Sequence, residues 1–211
     1  MAASSPVRPD TLPDNFPDPP ALYPSALFRL QLVTAGRYLF ESELKELLEL
    51  AEIPRGAIES PSDDDGLNVA HVSRFYQELK LICGEDKAIA FGHDAFQDCT
   101  SLIPRANTPA LARAVSSADK MFLRIRDAMS GFNRRTGMNV LVKWHGGAES
   151  DLFEDTAQQC YGYVAELPIC HSLTGFLEEG IHYLSGVEVN LTEIECMARG
   201  ALACRWHCAL I

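Results

Sequence analysis

The segment VEVNLTEIECMARGALACRWHCAL, residues 187–210, decides how the chain closes. Apolar and polar residues alternate through VNLTE and again through CRWHC, the period-two pattern of strands with one buried face. The intervening MARG carries a glycine, so the two runs read as an antiparallel hairpin turning at residues 197–200. Centred on Gly200, such a hairpin sets positions 196 and 204 opposite each other. Directly opposed side chains have Cβ atoms about 4.5–5.5 Å apart, close enough for the thiolates of Cys196 and Cys204 to share one tetrahedral zinc ion. Cys208 points to the same face four residues further on, too far to join them, and His207 points to the other face.

Upstream of the hairpin the period is helical. Helices are expected over residues 25–37, 41–53, 68–83, 85–103 and about 117–135. Val69, Val72, Phe75, Leu79 and Ile82 mark the apolar stripe of the third, and Asn68 is its N-cap. The segment PRGAIESPSDDDG (54–66) reads as a loop, its acidic run 63–65 a solvated turn. MNVLVKWH (138–145) alternates and ends at two glycines, a strand; a second strand is expected near 159–166. PICHSLTGFLEEGIHYLSG (168–186) reads as helix from about Cys170, despite Gly175 and Gly180. The order predicts an α+β fold, with helices packed on a small antiparallel sheet and a zinc-bound C-terminal hairpin closing it.

The chain has 211 residues, 47% of them hydrophobic, enough for one sizeable core. Residues 1–24 hold seven of the twelve prolines and are expected to be a disordered tail, with 25–211 as a single ligand-binding domain. A net charge of −11 argues against nucleic acid or anionic lipid as partner. No apolar run approaches the roughly 18 residues that span a bilayer, and the N-terminus lacks a signal-peptide core, so a cytoplasmic location is expected. The odd count of seven cysteines fits free thiols plus a metal site better than a disulfide framework.

Two further ligands are needed beside Cys196 and Cys204. Cys170 begins the helix that must pack on the sheet, where the helix dipole favours a thiolate. Glu193 stands three residues before Cys196, so strict alternation puts it on the opposite face. A bulge between them, or an early strand end, is required. The competing reading is that these are small buried hydrophobic cysteines.

The set Cys170, Glu193, Cys196 and Cys204, ending in E-x-x-C-x7-C, resembles the zinc signature of the 4-vinyl-reductase domain, specifically over residues 168–208 and loosely over 25–165. The resemblance implies zinc at these four residues. It also implies a fold shared with subunits of Golgi tethering complexes and, distantly, with haem-based nitric oxide sensors. An apolar pocket between helices and sheet is implied as well. Phe132, Trp144, His171 and Phe176 are candidates to line that pocket, although each could simply fill a core. His93 is a candidate haem ligand against the plainer reading of an ordinary helical histidine.

The function expected is therefore a zinc-stabilised sensor or carrier for a small hydrophobic or aromatic molecule, signalling through a partner regulator or a homodimer. A tetrapyrrole-pathway accessory or binding protein (bacteriochlorophyll or haem) is the alternative, and a structural adaptor the second. No dinucleotide loop, nucleophile motif or iron–sulfur motif points to catalysis.

Overall fold

The computed structural model describes residues 23–59, 66–100, 123, 126, 127, 130, 142–144, 151–155, 160 and 169–211. The expected helix at 117–135, except for four of its positions, and the expected strand at 159–166, except for residue 160, lie outside them. So do Phe132 and residues 1–22. The elements are β1 (Tyr23–Pro24), α1 (Ser25–Ala35), α2 (Glu41–Leu50), α3 (Arg55–Glu59), β2 (Gly66–Leu67), α4 (Val69–Cys83), α5 (Glu85–Cys99), β3 (Val142–Trp144), β4 (Asp151–Asp155), α6 (His171–Ser185), β5 (Val189–Glu195) and β6 (Cys204–Leu210).

Helix starts follow local chemistry. Asn68 Oδ1 accepts the Ala70 amide at 2.9 Å and opens α4. Phe40 has no capping side chain, so the Glu43 carboxylate reaches back and accepts the Phe40 N–H at 2.8 Å to open α2. Tyr23 and Pro24, assigned to the expected tail, form strand β1 instead. β1 pairs antiparallel with β2, Tyr23 opposite Leu67, and Tyr23 is only 2% exposed because its hydroxyl finds Gln31.

The helices α1, α2, α4 and α5 enclose one apolar cluster around Leu27, Phe28, Leu47, Val72, Phe75 and Phe91. A second cluster lies between α6 and the sheet, around Ile181, Leu191 and Trp206. The sheet is antiparallel in the order β3-β4-β6-β5. The α+β architecture is as expected, but β6 is not paired with β5 alone: β4, from the acidic stretch DLFED, flanks its other side, with Phe153 opposite Trp206.

Helix α6 joins the two clusters, and its glycines explain how. A Cβ on Gly175 would lie 2.0 Å from the Ile89 carbonyl oxygen, and one on Gly92 2.0 Å from that of Ser172. α5 and α6 therefore meet backbone to backbone, an approach no larger residue permits. Gly175, one of the two glycines that weaken the helical reading of 168–186, is one its packing requires. Beyond this seam, Trp206 Nε1 donates to Thr174 Oγ1 at 2.9 Å, and Thr174 donates to the Cys170 carbonyl at 3.1 Å, so the first turn of α6 is tied to β6.

Candidate metal centre

The hairpin turns where expected. β5 and β6 pair from Val189 opposite Leu210 to Glu193 opposite Trp206, and then the register shifts, with Glu195 opposite Arg205. Ile194 is the extra residue, 48% exposed. This bulge resolves the conflict over faces: Glu193 stays half-buried while Cys196, three residues on, is also turned inward. A single 3-10 turn, Met197–Arg199, and Gly200 at φ +88° close the loop, a left-handed position suited to glycine.

Four sulfur atoms meet at this corner. Those of Cys160, Cys170, Cys196 and Cys204 all lie within 4.8 Å of one another, and all four residues are buried. Cys170 Sγ is 3.4 Å from Cys204 and 4.0 Å from Cys196. Cys160 Sγ is 2.7 Å from Cys170, 3.6 Å from Cys204 and 3.9 Å from Cys196. The Met197 amide donates to Cys204 Sγ at 3.3 Å. Burial pushes the thiols of Cys160 and Cys170 well up and that of Cys204 to about 11. Cys196 moves the other way, well below the usual thiol range, because the thiols of Cys160, Cys170 and Cys204 hydrogen-bond to its sulfur.

Three of the four expected ligands are in this cluster. Glu193 is beside it: its Oε2 accepts the Cys170 N–H at 3.3 Å at the start of α6, and its Oε1 is buried without a hydrogen-bond partner. Burial pushes its carboxyl to about 8, with the Cys196 charge adding to the rise. The fourth cluster member, Cys160, is absent from the expected set. Nothing periodic marks it, and its only signal is being a cysteine in the segment leading to Cys170. Cys208 is buried on the same sheet face and outside the cluster, as its spacing predicts.

The expected pocket residues are not brought together in what is described. Phe176 packs edge-on against Phe96, ring centroids 5.0 Å apart. His171 is half-buried, with Nε2 3.5 Å from Glu85 and Nδ1 buried without a partner. Trp144 is placed in β3 by its backbone. A groove of about 440 Å³ does form, but neither Phe176 nor His171 lines it. It is bordered by His93, Glu178, Glu179, His182 and Glu188 together with Val189, Asn190 and Ile211, so carboxylates and imidazoles share it with apolar side chains.

No protein-family model matches the sequence, and no curated protein matches it. Solved structures do. An H-NOX protein from S. oneidensis in the Fe(II)NO ligation state aligns with 89% of this chain and 99% of its own, at 14% identity and a TM-score of 0.58. The Fe(II) unliganded H-NOX protein from K. algicida aligns with 89% of this chain and 96% of its own, at 9% identity and a TM-score of 0.60. The H-NOX domain of Shewanella oneidensis in the Fe(II)CO state, solved by NMR, covers 90% and 99%, at 13% identity and a TM-score of 0.54.

These comparisons correct two expectations. The 4-vinyl-reductase assignment does not stand, since the neighbours found are H-NOX structures. The spacing E-x-x-C-x7-C follows from a bulged hairpin with opposed cysteines, a geometry that need not signify descent from that family. The zinc cofactor falls with it: the neighbours' names carry Fe(II), not zinc, and four clustered thiols do not identify an ion. At such low identity the likeness establishes the fold, and the chain shares that of the H-NOX proteins.

Proposed function

We propose that this chain is a small-molecule sensor domain, its output passing through a partner protein or a second copy of itself. One observation carries the reading: the fold is shared, over 89% of the chain, with proteins named in Fe(II)NO and unliganded Fe(II) states. Among the expected ligands, an iron tetrapyrrole with a bound gas stands nearer to those neighbours than a monocyclic aromatic does.

The described residues do not themselves fit a haem, which needs an axial donor facing a slot for a flat ring. The α5–α6 seam is closed backbone to backbone. His93 has both ring nitrogens engaged, Nε2 by Glu178 at 3.0 Å and Nδ1 by Glu179 at 3.4 Å. His71 Nδ1 is held by the Ala51 carbonyl at 3.1 Å. His171 keeps one unpartnered nitrogen but borders no described groove. His145 lies outside the described residues.

Hemin titration and thermal shift test the reading. A Soret band shifted from that of free hemin and saturating at one per chain supports the tetrapyrrole form. Thermal stabilisation by phenols or fatty acids with no Soret shift supports the broader sensor reading. A saturating ligand at a hundred times its dissociation constant stabilises by about 2.7 kcal/mol. No stabilisation by hemin or by any of these compounds overturns it.

A further inference from the structure

We propose that the groove beside α6 binds a small organic cation, an aliphatic amine or guanidine; this rests on the sensor reading and names its ligand class. Four parts of the chain form its walls: His93 of α5, Glu178, Glu179 and His182 of α6, Val189 of β5, and Ile211 just after β6. At about 440 Å³ it has room for a small molecule. Among the described residues, no lysine or arginine lines it.

Its charges do not balance without an occupant. The side chains of Glu178 and Glu179 are only 13% and 19% exposed, and they share one histidine. His93 Nε2 stands 3.0 Å from Glu178 and Nδ1 stands 3.4 Å from Glu179. One imidazolium offsets one carboxylate at most. Clamping α5 to α6 asks for a single acid here, and the second leaves a largely buried negative charge, which is costly when unpaired. Glu188 adds a third carboxylate at the rim.

The two inner carboxylates are also held still. Glu178 Oε1 accepts the Leu191 N–H at 2.7 Å, and Glu179 Oε1 accepts the Gln97 side-chain amide at 3.1 Å. A carboxylate offers about four acceptor positions, so both keep capacity for a donor. The backbone adds to this. Glu188 O accepts the Ile211 N–H within the hairpin, so alternation turns the backbone groups of Val189 and Leu191 to the outer edge of β5. The Val189 carbonyl therefore faces the side on which Glu178 meets Leu191. Carboxylates and an edge carbonyl accept, so the occupant must donate, and a charged N–H group makes the strongest such bonds. Val189 and Ile211 give its carbon chain an apolar wall. A bare metal ion is not the match, because no three of these carboxylate and imidazole groups converge closely enough to ligate one.

Butylguanidine is the probe, with butanol and butyrate as neutral and anionic controls on the same carbon chain. Calorimetric titration of the full chain should show one butylguanidinium bound and no saturable binding of either control. Amide NMR shifts should centre on Val189 and Leu191. Glu179→Gln should weaken binding about tenfold, the loss of one charge-assisted bond. Glu49→Gln, on the exposed surface of α2, should leave it unchanged. No saturable binding to the unmutated chain overturns the proposal, as does equal binding of butanol or binding that Glu179→Gln leaves intact. Tighter binding of a capped arginine peptide than of butylguanidine assigns the groove to a protein partner and overturns the small-molecule form. In each of these cases, stabilisation by hemin or a phenol keeps the sensor reading. Butylguanidinium binding with no response to hemin, phenols or fatty acids removes that reading and leaves the groove a binding site.

Discussion

Along α6, Gly175 meets the α5 backbone with nothing between, whereas Cys170, one turn earlier, meets the ends of β5 and β6 through its sulfur and through its amide bond to Glu193. The seam is held by missing atoms. Removing every side-chain atom at Gly92 and Gly175 lets two backbones touch, and that contact needs no cofactor. The corner is held by atoms that resist proton loss. Burial pushes Cys160, Cys170 and Cys204 toward their neutral forms. One helix thus carries a backbone seam and a buried thiol corner.

The largest break should come from the residue that ties α6 to the sheet. Trp206 is fully buried and bonds Thr174, so Trp206→Ala should cost about 4 kcal/mol in urea unfolding. Gly175→Ala attacks the seam itself. The new Cβ would overlap the Ile89 carbonyl, the helices must part, and about 3 kcal/mol should be lost. Gly180→Ala is its control: it meets only the ring edge of Phe96 at 3.0 Å, a side chain that can turn aside, and should cost clearly less.

The thiol corner is broken separately. Cys204→Ser sets a hydroxyl among three buried sulfurs and should cost about 1–3 kcal/mol in urea unfolding. Combined with Gly175→Ala, the two losses should add, because the seam does not contact the sulfurs. A large departure from additivity would erase the distinction between the two contacts.

The smallest effect concerns pH at the rim of the seam. His93, on α5, is raised above its ordinary 6.5 chiefly by its hydrogen bond to Glu178, with burial opposing and Glu179 assisting; His182 and Glu188 line the same groove. A raised imidazolium contributes stability that is fully present below its ordinary pKa and disappears as pH climbs through the raised one. The urea midpoint should therefore fall modestly from about pH 6 to about pH 8, and His93→Gln should flatten that slope.

Much of the architecture was legible because it is local. The stripe from Val69 to Leu79 and the Asn68 cap place α4 by sequence alone, and α4 runs over Val69–Cys83. The alternation on either side of Gly200 sets the hairpin, and the conflict between Glu193 and Cys196 already demanded a bulge or an early strand end, of which the bulge stands at Ile194. No helix among the described residues is long and apolar enough to cross a membrane, in keeping with the sequence's lack of a long apolar run.

The rest depends on contacts between distant segments. β4 could not be read from DLFED, since its alternation is short and acidic and its strand exists through pairing with β6. Gly175 looked like a helix weakness until the partner backbone was in place. Cys160 is the sharpest case. Periodicity reports which face a residue occupies within its own element, so it found Cys196, Cys204 and the start of α6. A sulfur delivered from another segment leaves no period behind. By itself the sequence determined α1, α2, α4, α5, α6, the hairpin and three of the clustered cysteines, while α3 stands inside the stretch 54–66 that reads as a loop. Only the tertiary structure brings Cys160 into the sulfur cluster and sets Glu193 beside it, because that depends on which chain segments fold into the corner, not on spacing along any one of them.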